Sequence, residues 1–389
     1  MRSNRFILKI IISSCLIFSF MTTSGMIPFM NQSNGYYGII PIIIMALFKW
    51  SLNNFKVRNN EKRDVLQFGF VYSVVPKVVI YGYTLYIILS GISEKRYLSS
   101  NIQTFINGVS AIAAFYLLEE DIFQVSSYSL IIGYIIGISI RIFRGDLFSG
   151  GFEYHDLAFA VGYLVIYIAL ITRKWTLRNL VIDLLVLIMI LLAGKRIGIF
   201  ALIFSFLMMF IFNRKTDEKQ KNIIIISGII GLVVCFLFVH LTLRVDWLAI
   251  SKTIGFDLSG RGYYYAIMSQ FAHFGPDYLG LGRNACQVIF TEDFKYFKVS
   301  NLHSDILRMY VECGFWLFGM WCLFYLIIMP LWIYKKYGSK SAKFVMIVTI
   351  YTFIVYSTDN IELYLISQFF YVLTILLFLH REKKGYYIK

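Results

Sequence analysis

Apolar residues in this chain come in long unbroken runs, and the polar residues gather in the short stretches between them. The runs FILKIIISSCLIFSF at 6–20 and WLFGMWCLFYLIIMP at 316–330 are typical. Neither alternates with period two, and each lies in a longer stretch able to cross a bilayer as a helix of about 17–25 residues. Backbone groups in lipid must be satisfied within the protein, so a chain with continuous runs spans as helices rather than as a closed barrel. The pattern predicts helices at 6–24, 35–48, 65–91, 101–118, 128–143, 156–172, 179–194, 197–212, 223–241, 304–334, 344–358 and 363–380. The expected fold is all-α: a polytopic helical membrane protein of about twelve transmembrane helices. Residues 1–389 form a single integral membrane domain, with a large extracytoplasmic loop at 242–303 between the ninth and tenth helices.

Composition agrees. Of 389 residues, 58% are hydrophobic, 18% aromatic and only 15% charged, which excludes a soluble domain of this size. The net charge of +15 is distributed among short loops. Cations cluster at Arg2, Arg5 and Lys9, at Lys49–Arg63, at Arg173–Arg178, at Arg214–Lys221, at Lys335–Lys343 and at Arg381–Lys389. In a twelve-helix path all of these fall on one side, so both termini are expected in the cytoplasm. One loop on that side, 119–127, carries Glu119, Glu120 and Asp121 and no cation. The scatter of basic residues argues against nucleic acid as a partner; membrane lipid is the expected neighbour. The first helix begins like a signal peptide but has no small-x-small site before Pro28, so it is expected to be retained. Of the five cysteines, Cys15, Cys235, Cys313 and Cys322 lie in predicted helices and Cys286 stands alone outside them; no disulfide, metal or cofactor is expected.

Charged residues at the outer ends of apolar runs carry the chemistry. In NLHSDILRMYVECG (301–314), Asp305, Arg308 and Glu312 share one helical face, and the two acids can partner the arginine. That triad reads as structural. His303 stands at the helix start on the aqueous side, where a neutral imidazole can accept a proton. Lys195 and Arg196, in LLAGKRIGIF, sit at a tight outer junction of two helices, flanked by Gly194 and Gly198. In the large loop, Arg261 lies between glycines in SGRGYYY, followed by Tyr263 and Tyr264, and Arg283 follows Gly280–Leu281–Gly282. Guanidinium forks match phosphate oxygens, and tyrosine faces stack on sugar rings. A base, several arginines and aromatics at a membrane rim suit transfer of a sugar from a lipid diphosphate. His303 would deprotonate the attacking hydroxyl while Arg261 and Arg196 hold the diphosphate.

These stretches resemble the O-antigen polymerase and O-antigen ligase superfamily of bacterial surface-polysaccharide assembly. LLAGKRIG is similar to that family's small-residue–Arg–Gly junction. SGRGYYYAIMSQFAHFGPDYLGLG is similar to its Ser-Gly-Arg start, proline and closing Gly-x-Gly. LHSDILRMYVECGFWLFG is similar to its histidine-led helix start. The resemblance implies a metal-independent glycosyltransferase acting on an undecaprenyl-diphosphate-linked oligosaccharide, with His303 as base and Arg196 and Arg261 as phosphate ligands. It also implies that FEYHDLAFA (152–160) is the shorter outer loop, with His155 and Asp156 as sugar contacts. Lys195 departs from the pattern, where a small or hydroxyl residue is usual. A chain-length regulator and a flippase of the same pathway are the implied protein partners.

Three alternatives remain. A ligase would hand the glycan to a different acceptor, and the motifs do not separate it from a polymerase. A metal-dependent transferase would show an acidic pair in the first outer loop, which here reads GMIPFMNQSN and has none. A flippase would hold charge near the midplane; Lys77, after Pro76, is the main candidate for such a charge.

Overall fold

A computed structural model describes residues 2–23, 27, 30, 32–53, 60–97, 102–145, 155–171, 195–213, 217–254, 261–294 and 302–384. Every regular element among them is helical. In chain order these are α1 (Arg2–Thr23), α2 (Tyr36–Leu52), α3 (Asn60–Ser73), α4 (Val75–Leu89), α5 (Ile102–Leu118), α6 (Asp121–Arg144), α7 (His155–Ile171), α8 (Arg196–Asn213), α9 (Asp217–Arg244), α10 (Trp247–Ile254), α11 (Arg261–Met268), α12 (Ala285–Val288), α13 (Asp305–Leu323), α14 (Met329–Tyr337), α15 (Ser339–Tyr356) and α16 (Leu365–Lys384). Eight stretches are long and apolar enough to cross a membrane, and three shorter apolar helices accompany them. The chain is thus a helical membrane protein. The predicted helix 179–194 lies outside the described residues.

The chain divides into two compact units. The first comprises 1–74, 102–203 and 362–389. Its centre is α16, which packs against α3, α5 and α7 and is 89% buried over its apolar stretch. A helix apolar all round needs neighbours on every side. One end of this unit is a charge cluster. Asp121 receives Arg5 at 2.8 Å and Lys9 at 2.9 Å, Glu119 receives Lys62 at 2.7 Å, and Glu120 receives Lys384 at 3.2 Å. Lys62 also donates to the Tyr116 carbonyl at 2.9 Å. The three acids that look out of place in a basic surface are therefore its counter-ions. They draw the start of α1, the start of α3 and the end of α16 to one face.

The second unit comprises 75–101 and 204–361. Here α13 packs on α4, α9, α12 and α15. A π-turn at Phe324–Ile328 separates α13 from α14, and Met329 N–H bonds the Phe324 carbonyl across it. Pro330 follows and has no N–H to return to the preceding turn. The Leu326 carbonyl points at Gly228 of α9, where a Cβ would come within 2.5 Å of it. Only glycine allows the two helices to cross this closely.

Midway along its length α13 is broken. Gly314 has φ 74° and ψ 178°, outside the helical region. The break frees the carbonyls of Val311 and Glu312 and the N–H of Phe315, and a segment of the large loop takes up all three. Leu281 N–H donates to Val311 O at 3.0 Å, Gly282 N–H to Glu312 O at 2.9 Å, and Phe315 N–H to Tyr278 O at 2.9 Å. A buried backbone group must find such a partner, and here extended loop supplies it. Gly280 and Gly282 have φ of 88° and 100°, and a Cβ on Gly280 would sit 2.5 Å from Gly314 N. The Gly-x-Gly spacing is thus a backbone requirement of this insertion. Tyr83 and Tyr278 secure the same segment, donating to Leu279 O and Val311 O at 2.7 Å each.

Candidate functional site

The second unit brings three of the predicted site residues, Arg261, Tyr264 and His303, to one place. Arg261 is the first residue of α11, and its Nη2 donates to the Thr358 carbonyl at 3.1 Å. Thr358 belongs to the short turn Ser357–Asn360 that ends α15. The same turn holds the start of α13: Asp305 N–H donates to Asp359 O at 3.1 Å, and Ser304 Oγ to Tyr356 O at 3.4 Å. Ser304 is also the helix cap, accepting Leu307 N–H at 3.2 Å. His303 precedes that cap with φ 52°, a conformation that costs a non-glycine residue about 1–3 kcal/mol and persists only when its surroundings fix it. Tyr264, one turn along α11 from Arg261, lies against the His303 ring with centroids 6.0 Å apart and packs edge-on to Phe290 at 5.6 Å. Burial pushes the Tyr264 hydroxyl up in pKa against the pull of the Arg261 charge, and pushes Tyr265 up to about 12, so both stay neutral phenols. Tyr263 points outward and is exposed.

Other candidates have different surroundings. Arg283 is only 2% exposed. Its Nη1 pairs with Glu312 at 2.9 Å, its backbone N–H donates to Thr84 Oγ1 at 2.9 Å, and Met309 Sδ is 3.3 Å away. In this arrangement the guanidinium clamps the loop to the broken helix, so it is taken up by protein where the sequence suggested a phosphate ligand. Arg308 is likewise buried and pairs with Asp305. The expected triad is therefore two buried pairs, with Glu312 receiving Arg283 from the loop.

Lys195, Arg196, His155 and Asp156 belong to the first unit. Arg196 is the exposed first residue of α8, at the positive end of the helix dipole. Lys195 Nζ sits over the Phe159 ring at 6.0 Å from its centroid. His155 is the first residue of α7. The Asp156 carboxylate is buried and caps α16: Oδ2 accepts Ile366 N–H at 3.2 Å, and Oδ1 accepts both Ser367 N–H and Ser367 Oγ–H at 2.8 Å. The free N–H groups of a helix start attract a carboxylate, and that commitment occupies an acid the resemblance suggested for sugar.

Two features escaped the sequence pattern. The turn Ser357–Asn360 is a polar break between two apolar runs, the same signal that marked the other rims. His273 Nε2 and Asp277 Oδ2 form an exposed pair at 2.8 Å, and hydrogen bonding to His273 lowers the Asp277 carboxyl below its usual range.

No family model matches the chain, and no curated protein matches its sequence.

Proposed function

We propose that this protein is a polysaccharide polymerase of the bacterial cytoplasmic membrane. It transfers an undecaprenyl-diphosphate-linked glycan onto a sugar hydroxyl of another lipid-linked repeat unit at the outer face. The observation that carries this reading is that Arg261 and the helix start that follows His303 hold the same turn, while Tyr264, one helical turn from Arg261, lies against the His303 ring. His303 takes the proton of the acceptor hydroxyl. The freed oxygen attacks the anomeric carbon of the donor sugar, the bond from that carbon to the phosphate oxygen breaks, and the diphosphate leaves with the electron pair. Arg261 stabilises the charge that collects on the leaving group, as preorganised cations do in such transfers. With 179–194 as a further span the chain has twelve, and the cluster around Glu119–Asp121 lies at the cytoplasmic face with both termini.

One observation favours a second reading, a flippase for the same lipid: α13 is discontinuous, as transporter helices near a binding site often are. Loop backbone fills that break through three hydrogen bonds. A fixed scaffold accounts for it, and the transferase reading is preferred.

Purified protein supplied with the lipid-linked repeat unit should yield a ladder of longer products. Arg261→Ala and His303→Ala should each lower product formation by about 10²–10⁴-fold while the protein still folds. A single transfer to a foreign acceptor would make it a ligase. Full activity in both variants would remove the assigned chemistry, and lipid movement across vesicles without a new bond would favour the flippase.

A further inference from the structure

The turn Ser357–Asn360 does more than anchor Arg261. Its backbone is pinned by Arg261 and Asp305, and internally by Asn360 N–H on Asp359 Oδ1 at 2.9 Å and Ser357 Oγ on Ile354 O at 2.7 Å. Its side chains are less satisfied. Asn360 is 2% exposed, yet its Oδ1 has no hydrogen-bond partner among the described residues. The same holds for Thr358 Oγ1 and for Arg261 Nε. Buried polar atoms are paired in the great majority of cases, so three unmet ones around one turn call for a ligand.

Their polarities differ. The guanidinium Nε only donates and suits a phosphate oxygen. The amide oxygen of Asn360 only accepts, and phosphate oxygens of a diphosphate diester carry no proton to offer it at neutral pH. A sugar hydroxyl or acetamido N–H does. The threonine hydroxyl serves either.

We infer that this turn reads the sugar of the lipid-linked donor, with Asn360 and Thr358 hydrogen-bonding the first sugar beside the phosphate that Arg261 holds. The inference rests on the function proposed above and adds specificity-determining residues to it. A site built to bond a polar group discriminates strongly against a ligand lacking it, because its own buried atoms are then left unpaired.

The test compares two lipids on the full-length protein in nanodiscs: undecaprenyl diphosphate, which has no sugar, and the lipid-linked repeat unit that accumulates in cells lacking the protein. Asn360→Leu should weaken repeat-unit binding by about 10-fold and leave undecaprenyl diphosphate binding within about twofold. Arg261→Met should weaken both. Thr358→Val, a near-isosteric change at a half-buried position, makes the same comparison should Asn360→Leu not fold. Equal loss for both lipids, or no loss for either, overturns the inference. Wild-type protein that binds neither lipid overturns the proposed function along with it.

Discussion

Arg261 and Arg283 open neighbouring stretches of the same large loop, and by sequence they look interchangeable: each follows a glycine, and each is offered to a phosphate. The structure separates them. Arg283 is buried and spends its charge on Glu312. Arg261 is half-buried, holds one backbone carbonyl, and keeps Nε unmet among the described residues. A fully satisfied charge fastens the fold, while an incompletely satisfied one is what the proposed function assigns to a ligand. The histidines repeat the contrast. His303 is held by its surroundings at a positive φ, whereas His273 lies on the surface against Asp277.

The sharpest way to break the comparison is to remove each charge in turn. Arg283→Met leaves Glu312 buried without its arginine and should cost about 3–5 kcal/mol, read as a large fall in unfolding temperature of the detergent-solubilised protein. Arg261→Met should move that temperature little while removing transfer. Replacing Arg283 and Glu312 together by apolar residues should recover much of the loss, since an apolar pair needs no desolvation. If Arg261→Met proves the more destabilising, the assignment of roles is reversed.

A smaller effect tests Asp156. Asp156→Ala removes the carboxylate at the start of α16 and should cost about 0.5–2 kcal/mol. If the residue acts only as a cap, the sugar preference of the remaining activity stays unchanged; a changed preference at unchanged stability would return Asp156 to the substrate. The smallest effect concerns His303. Glycine accepts its φ and alanine does not, so His303→Gly should be about 1 kcal/mol more stable than His303→Ala, with transfer lowered alike in both. Equal stability of the two would mean that the backbone there is not strained.

Much of the fold was legible in the sequence because its causes are local. Twenty apolar residues in a row have one stable form in lipid, whatever lies elsewhere in the chain. Thus the runs at 363–380 and 304–334 each announced a helix. The site was half legible. Arg261 and His303 could be picked out as charge and imidazole at apolar rims, but their meeting depends on the turn Ser357–Asn360, more than fifty residues beyond His303 and without a motif of its own.

What the sequence by itself determined is a helical membrane chain with basic loops and a charged rim, since hydropathy and charge act residue by residue against solvent and lipid. What only the tertiary structure decided is which of those charges are taken. Asp156 was claimed by Ser367, 211 residues away, and Glu312 by Arg283 through a loop threaded into a broken helix. The partner of a buried charge is chosen by packing at a distance of a few ångströms, and no spacing along the chain records that distance.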